Sequence, residues 1–249
     1  MELLAGFSAL QVGGALATAL IAAFIRGLAG FGMAILLVPV LALALTPVEA
    51  VMVTNGVALL VGLSEARSIW SNAEKSALRI SGWVLVATLP GLWLLSITAP
   101  DLARVLIALV ALSAFAAILL PQRPADLPGH VHTGVTGIAT GLLTGFAGMP
   151  GPPVVPYYVG RAIPRVQAKA SMLLIFSFAA LVGLGSGAAL GVLQLRHLLL
   201  SLLLFPAVLV GNWLGALAFG KVNDRIWRSF VALMLAAAAA VAFVKLLQA

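Results

Sequence analysis

The chain has 249 residues, 63% of them hydrophobic and 8% charged, with a net charge of +7 and no cysteine. A soluble domain carries roughly 25% charged residues, so a water-soluble fold is excluded and the composition reads as an all-α polytopic membrane protein. Without cysteine there are no disulfides, thiolate nucleophiles or Cys-ligated metals, and without a basic tail the charge speaks for loops and an anionic cargo rather than nucleic acid.

Ten apolar segments follow in chain order. They span about 7–25, 31–45, 48–65, 79–97, 102–120, 132–146, 150–160, 168–190, 197–219 and 226–247. The opening "MELLAGFSALQVGG" carries an acid in place of a basic n-region, so the first segment is expected to be a retained span. Eight segments are long enough to cross a hydrocarbon core of roughly 30 Å as helices. The other two, 31–45 and 150–160, are short, and each follows a glycine-rich break, "RGLAGFG" or "TGFAGMPG". The polar stretch "PQRPADLPGHV" at 121–131 reads as a linker between a first membrane repeat, 1–120, and a second, 132–249.

Self-comparison supports a duplication. An offset of 118 lays Gly27, Ala29 and Gly30 on Gly145, Ala147 and Gly148, and Val48 and Ala50 on Val166 and Ala168. At 120, Ala87, Gly91, Trp93 and Leu94 meet Ala207, Gly211, Trp213 and Leu214, and at 124 "RVLIALVAL" lies over "RSFVALMLA". Lys and Arg gather at 67–79, 161–169 and 221–228. If both short segments cross, all three clusters share one side, as cytoplasmic loops require. Five crossings per unit then make the repeats inverted, with both termini outside a bacterial inner membrane.

Paired helix breaks in inverted repeats are a pattern of secondary transporters. Unpaired backbone groups cost several kcal/mol each in hydrocarbon, so broken backbone persists only around a protein-lined or watered cavity. A break also exposes a helix N-terminus, whose free N–H groups and partial positive charge suit an anion. Close helix packing is the plainer use of such glycines, but two matched breaks, each before a short segment, favour a site.

"RGLAGFGMAILLVPVLALALTPVEAVMVTNG" resembles the first signature of the sulfite exporter TauE/SafE family, and "TGFAGMPGPPVVPYYVGRAIPRVQAKASML" its second copy. The resemblance implies an integral membrane permease, not an enzyme, that moves small anions such as sulfite, sulfonates or sulfoacetate-like compounds, often outward. In place of the family's usual GxGGG run the copies read "GFGMA" and "GMPGPP". Pro150, Pro152 and Pro153 lack N–H donors, so the second break is expected to lean on Gly148, Met149 and Gly151.

The candidate substrate residues are Arg26, Gly30, Phe31, Gly32, Asn55, Gly148, Met149, Pro150, Gly151, Ser171, Asn212 and Trp213. Arg26 abuts the first break and either grips an anion bidentately or snorkels to the interface. Asn55 and Asn212 lie mid-segment, where an amide staples helices or lines a path; Ser171 falls on ground roughly equivalent to Asn55. Trp93 and Trp213, related by the repeat, either stack on cargo and seal a gate or anchor at an interface. Tyr157 and Tyr158 close the second short segment, at an interface or within reach of an oxyanion. Lys169 either draws anions in or marks the cytoplasmic side. Glu49 and Glu65 are the carboxylates open to proton coupling, with Arg67 a ready partner for Glu65. His130 and His132 fall in the linker without further ligands for a metal, and His197 reads as a helix-boundary residue. No cofactor is expected. The partners are a small anion and the lipid bilayer, with a homodimer as an option and no nucleic acid. A passive anion channel is the first alternative, and an intramembrane enzyme the second.

Overall fold

The computed structural model describes residues 6–119, 129–159, 161, 163–218 and 224–248. Eleven α-helices occur among them: α1 Ala9–Ala29, α2 Met33–Ala44, α3 Pro47–Ser64, α4 Ala66–Asn72, α5 Lys75–Ile97, α6 Pro100–Leu119, α7 His130–Ala147, α8 Gly151–Val159, α9 Arg165–Ala189, α10 Leu195–Ala218 and α11 Asp224–Gln248. Each of the ten expected segments corresponds to a helix. The addition is α4, a seven-residue helix whose Trp70 is almost fully exposed. No strand occurs among the described residues. The linker expected at 121–131 lies outside them up to residue 128, and α7 already begins at His130.

Among the described residues five helices (α1, α3, α5, α9 and α10) are long and apolar enough to cross a membrane by length and composition. The expectation of eight long spans exceeds that number. α7 falls short because its sequence, "HVHTGVTGIATGLLTGFA", spends many positions on Thr and Gly. Two of its threonines are satisfied within the helix: Thr140 and Thr144 donate to the carbonyls of Thr136 and Thr140 at 2.6 and 2.7 Å. That internal satisfaction is what an apolar surrounding demands of a buried hydroxyl.

Local signals set the helix ends. Ser8 and Gln11 form a capping box at the start of α1, as do Thr46 and Glu49 at α3, where Pro47 takes the first helical position. The last turn of α2 receives three side chains from elsewhere. Arg104 Nε donates to the Ala42 carbonyl, Lys245 Nζ to Leu43 and Gln11 Nε2 to Ala44, at 2.7, 2.8 and 2.6 Å. Two cations thus sit at the negative end of the helix dipole and fill carbonyls that a helix end leaves orphaned.

Two close crossings frame the molecule, α1 with α10 and α5 with α7. Glycine allows both. A Cβ at Gly145 would collide with the Thr88 carbonyl, and one at Gly91 with the Leu142 carbonyl. In the other pair, a Cβ at Gly27 would strike the Asn212 carbonyl, and one at Gly211 the Leu20 carbonyl. Such small-residue contacts bring membrane helices together by van der Waals packing. Between these pairs, α3 packs on α9 and α6 on α11.

Candidate functional site

α1 ends where Gly30 turns left-handed (φ 84°), and its N–H donates to the Arg26 carbonyl at 2.7 Å. Phe31 follows, and Gly32, also left-handed (φ 96°), opens α2 without any side-chain cap. Gly32, Met33, Ala34 and Ile35 all carry N–H groups, so this helix start offers a full set of first-turn donors.

The second break differs. Gly148 is left-handed (φ 63°); its N–H donates to the Thr144 carbonyl at 3.0 Å and that of Met149 to Leu143 at 3.1 Å. This glycine-based C-cap closes α7. The expectation that Gly148 and Met149 would offer donors is therefore corrected, because capping α7 uses both. Among residues 150–153 only Gly151 has an N–H.

Both breaks face one cavity of about 70 Å³, several times the roughly 10–15 Å³ that admits a single water. Gly30, Phe31 and Gly32 line it from one side, and Gly148, Met149, Pro150 and Gly151 from the other. Asn55 on α3 adds to the wall; it is 2% exposed, and its Nδ2 has no hydrogen-bond partner among the described residues. Gly183 of α9 leaves the room for this amide, since a Cβ there would strike Asn55 Nδ2.

Two cations complete the lining, Arg26 and Lys169. Arg26 is 7% exposed and held by protein at two of its nitrogens: Nη1 donates to Asn212 Oδ1 at 2.8 Å and Nη2 to Glu65 Oε1 at 2.6 Å. This is not the geometry of an arginine reaching for the interface. Lys169 Nζ lies 3.4 Å from the other Glu65 oxygen. The pairing of Glu65 with Arg67 is overturned, because side chains two positions apart near a helix do not face each other. Glu65 is the C-cap of α3, and Arg67 is exposed on α4.

The remaining candidates lie elsewhere. Asn212 does not line the cavity but orients Arg26. Ser171 is fully buried and accepts from the Glu74 N–H at 2.8 Å, tying the start of α5 to α9. Trp213 is 61% exposed on α10. Gly211 faces α1, and two further residues turn a helix by about 200°, so Trp213 points outward, away from the cavity. Trp93 is likewise exposed. Glu49 sits at the far end of α3, about 24 Å from Glu65 at 1.5 Å per residue, where it meets Arg196 Nη2 at 2.8 Å.

Tyr157 and Tyr158 are buried and hydrogen-bond Thr133 and Ser76 at 3.0 and 2.7 Å. The Arg161 guanidinium lies over both rings. His197 is the third residue of α10, at the helix boundary as expected, but buried, and its Nδ1 accepts from the Gln194 N–H at 3.2 Å. His132 packs against Tyr157. No group of three metal-capable side chains occurs among the described residues.

A model of the family described as sulfite exporter TauE/SafE matches residues 15–242. The chain belongs to that family. The match runs from α1 into α11, so both glycine breaks and every charged cavity residue fall inside the TauE/SafE region. No curated protein and no solved structure matches the chain. The TauE/SafE family is one of membrane permeases, transporters rather than enzymes, and the long apolar helices of this chain fit such a protein.

Proposed function

We propose that the protein is a secondary transporter that exports small sulfur-containing anions, sulfite or sulfonates such as sulfoacetate, from the bacterial cytoplasm by alternating access. The observation that carries this reading is the single cavity where an uncapped helix start, the Gly151 N–H, the unpartnered Asn55 amide and two cations converge. Donors from both breaks, Asn55 and the two cations face the space between mostly apolar walls, and its one nearby carboxylate is already paired. That is the electrostatic mould of an anion.

The inverted arrangement of 1–120 and 132–249 is part of the proposal. It is supported by the crossing of α1 with α10 alongside that of α7 with α5, which are the same pair under exchange of the halves. The glycines at these crossings, Gly27 with Gly211 and Gly145 with Gly91, are those the sequence offsets relate. Each helix of the matched pairs α2 and α8, and α5 and α10, also holds an interior proline: Pro39 and Pro156, Pro90 and Pro206. The bond between Glu74 and Arg161 brings two of the basic clusters to one end, in keeping with one cytoplasmic side. In the third cluster, Lys221 and the side chains of Arg225 and Arg228 lie outside the description. Ten crossings, eight long and two short, then leave both termini outside.

Thermal-shift measurements on purified protein with sulfite, sulfate, sulfoacetate, taurine and carboxylates test the site. A shift with a sulfur oxyanion that shrinks in Asn55→Ala and Gly151→Leu is expected; no shift with any of them would sink the proposal. Flux into proteoliposomes separates the transporter from a channel, since unitary currents belong only to the latter.

A further inference from the structure

We infer that Glu65 takes up a proton when an anion enters the cavity, an inference that rests on the transport reading above. The geometry is one carboxylate divided between two cations. Oε1 accepts from Arg26 Nη2 at 2.6 Å, and Oε2 stands 3.4 Å from Lys169 Nζ. Both cations line the cavity, while Glu65 does not. An anion arriving there meets positive charges that are already shared with a resident carboxylate.

Two negative groups then compete for Arg26 and Lys169. Arg26 is buried and fixed from behind by Asn212, whereas Lys169 is half exposed and holds Glu65 at the longer distance. Lys169 is therefore the partner that turns to the ligand. Losing a cation and gaining a nearby anion both raise a carboxylate's affinity for a proton. A proton from water adds to Oε2, the oxygen that Lys169 leaves. No bond to the anion forms or breaks. One proton cancels one charge of the incoming anion: a monoanion then leaves the charge of the cluster as it was, and the dianion sulfoacetate adds one negative charge instead of two, which makes the coupled event cheaper in a poorly hydrated site than binding the anion alone.

The surroundings supply no rival for this role. On the elements packed against α3, α1 contributes Arg26 and α9 contributes Lys169, with Arg165 one turn earlier. α2 has no ionisable residue. On α10, Arg196 and His197 sit with Glu49 at the opposite end of α3. Arg67 of α4 and Lys75 and Arg79 of α5 are exposed, and Asp101 and Arg104 of α6 pair with each other. His130 and His132 stand at the start of α7. The nearest other carboxylate in sequence, Glu74, is held by Arg161.

Calorimetric titration of the purified protein with sulfoacetate and with sulfite, in buffers of different ionisation enthalpy, reads the proton count directly. Wild type is expected to take up close to one proton per bound sulfoacetate, with affinity rising by up to roughly tenfold per unit fall in pH. Glu65→Gln is expected to bind without uptake and with affinity flat in pH. For sulfite, which itself titrates, the relevant quantity is the difference between the two proteins. Binding of sulfoacetate to wild type with no proton uptake would overturn the inference while leaving the transport reading in place, and it needs no variant to fold. Uptake that survives in Glu65→Gln would overturn the assignment to this residue. If neither anion binds at any pH, the transport reading falls and takes this inference with it.

Discussion

The Arg161 guanidinium meets the Glu74 carboxylate along both edges, Nη1 to Oε2 and Nη2 to Oε1, each at 2.8 Å. The two residues lie 87 positions apart and join the turn before α5 to the turn after α8. The hydrogen bonds from Arg161 hold the Glu74 carboxyl below its ordinary pKa, with partial burial opposing them. A depressed carboxylate stabilises the fold fully above its unfolded pKa, and that contribution fades as pH falls through the folded one. Glu74→Gln should therefore cost about 1–2 kcal/mol at neutral pH, and the gap should close in acid. Thermal unfolding of both proteins from neutral to acidic pH checks this; a gap that widens in acid would contradict it.

Arg26 is expected to matter for stability apart from any ligand. Arg26→Ala strands the partly buried Glu65 with only the more distant Lys169, at a cost of roughly 3 kcal/mol. The double variant Arg26→Ala/Glu65→Ala should lose less than the sum of the two single variants. A double-mutant cycle in detergent measures the difference, and simple additivity would mean that the pair is not coupled.

At the α5–α7 crossing, Gly145→Ala should destabilise by about 1–3 kcal/mol through overpacking. Gly13, in α1, has open space where its Cβ would be, and Gly13→Ala should be neutral or gain up to about 1 kcal/mol. Equal effects at the two sites would mean that the crossing is looser than described.

The second break is donor-poor by sequence, so a donor can be restored. Pro153→Ala returns one N–H to the first turn of α8. If that turn faces the anion, affinity should rise by about two- to tenfold, the worth of one net hydrogen bond. Calorimetry with sulfite reads the change, and an unaltered affinity would place the ligand on the α2 side alone.

Much of this arrangement was legible in the sequence. Helix positions followed from apolar runs and their breakers, and eight candidate residues beside the breaks came together with Asn55 because Gly30, Gly32 and Gly148 take conformations that side chains resist. What escaped was partnership across the chain. The Arg26 bond to Asn212 spans 186 positions, and no local pattern announces it. Trp213 misled because a repeat relates positions without saying which way they face. Ser171 likewise looked like a second Asn55, but it is spent on the Glu74 backbone. The short α4 was missed because seven mixed residues carry too little periodicity to register.

Gln11, Arg104 and Lys245 hold the far end of α2 from three different helices. At twelve residues α2 is about 18 Å long, so it is one rod between the break at Gly32 and the contacts with α1, α6 and α11. A displacement at Gly32 would have to be taken up at those contacts. Whatever moves at the break is thereby felt in both halves of the chain at once.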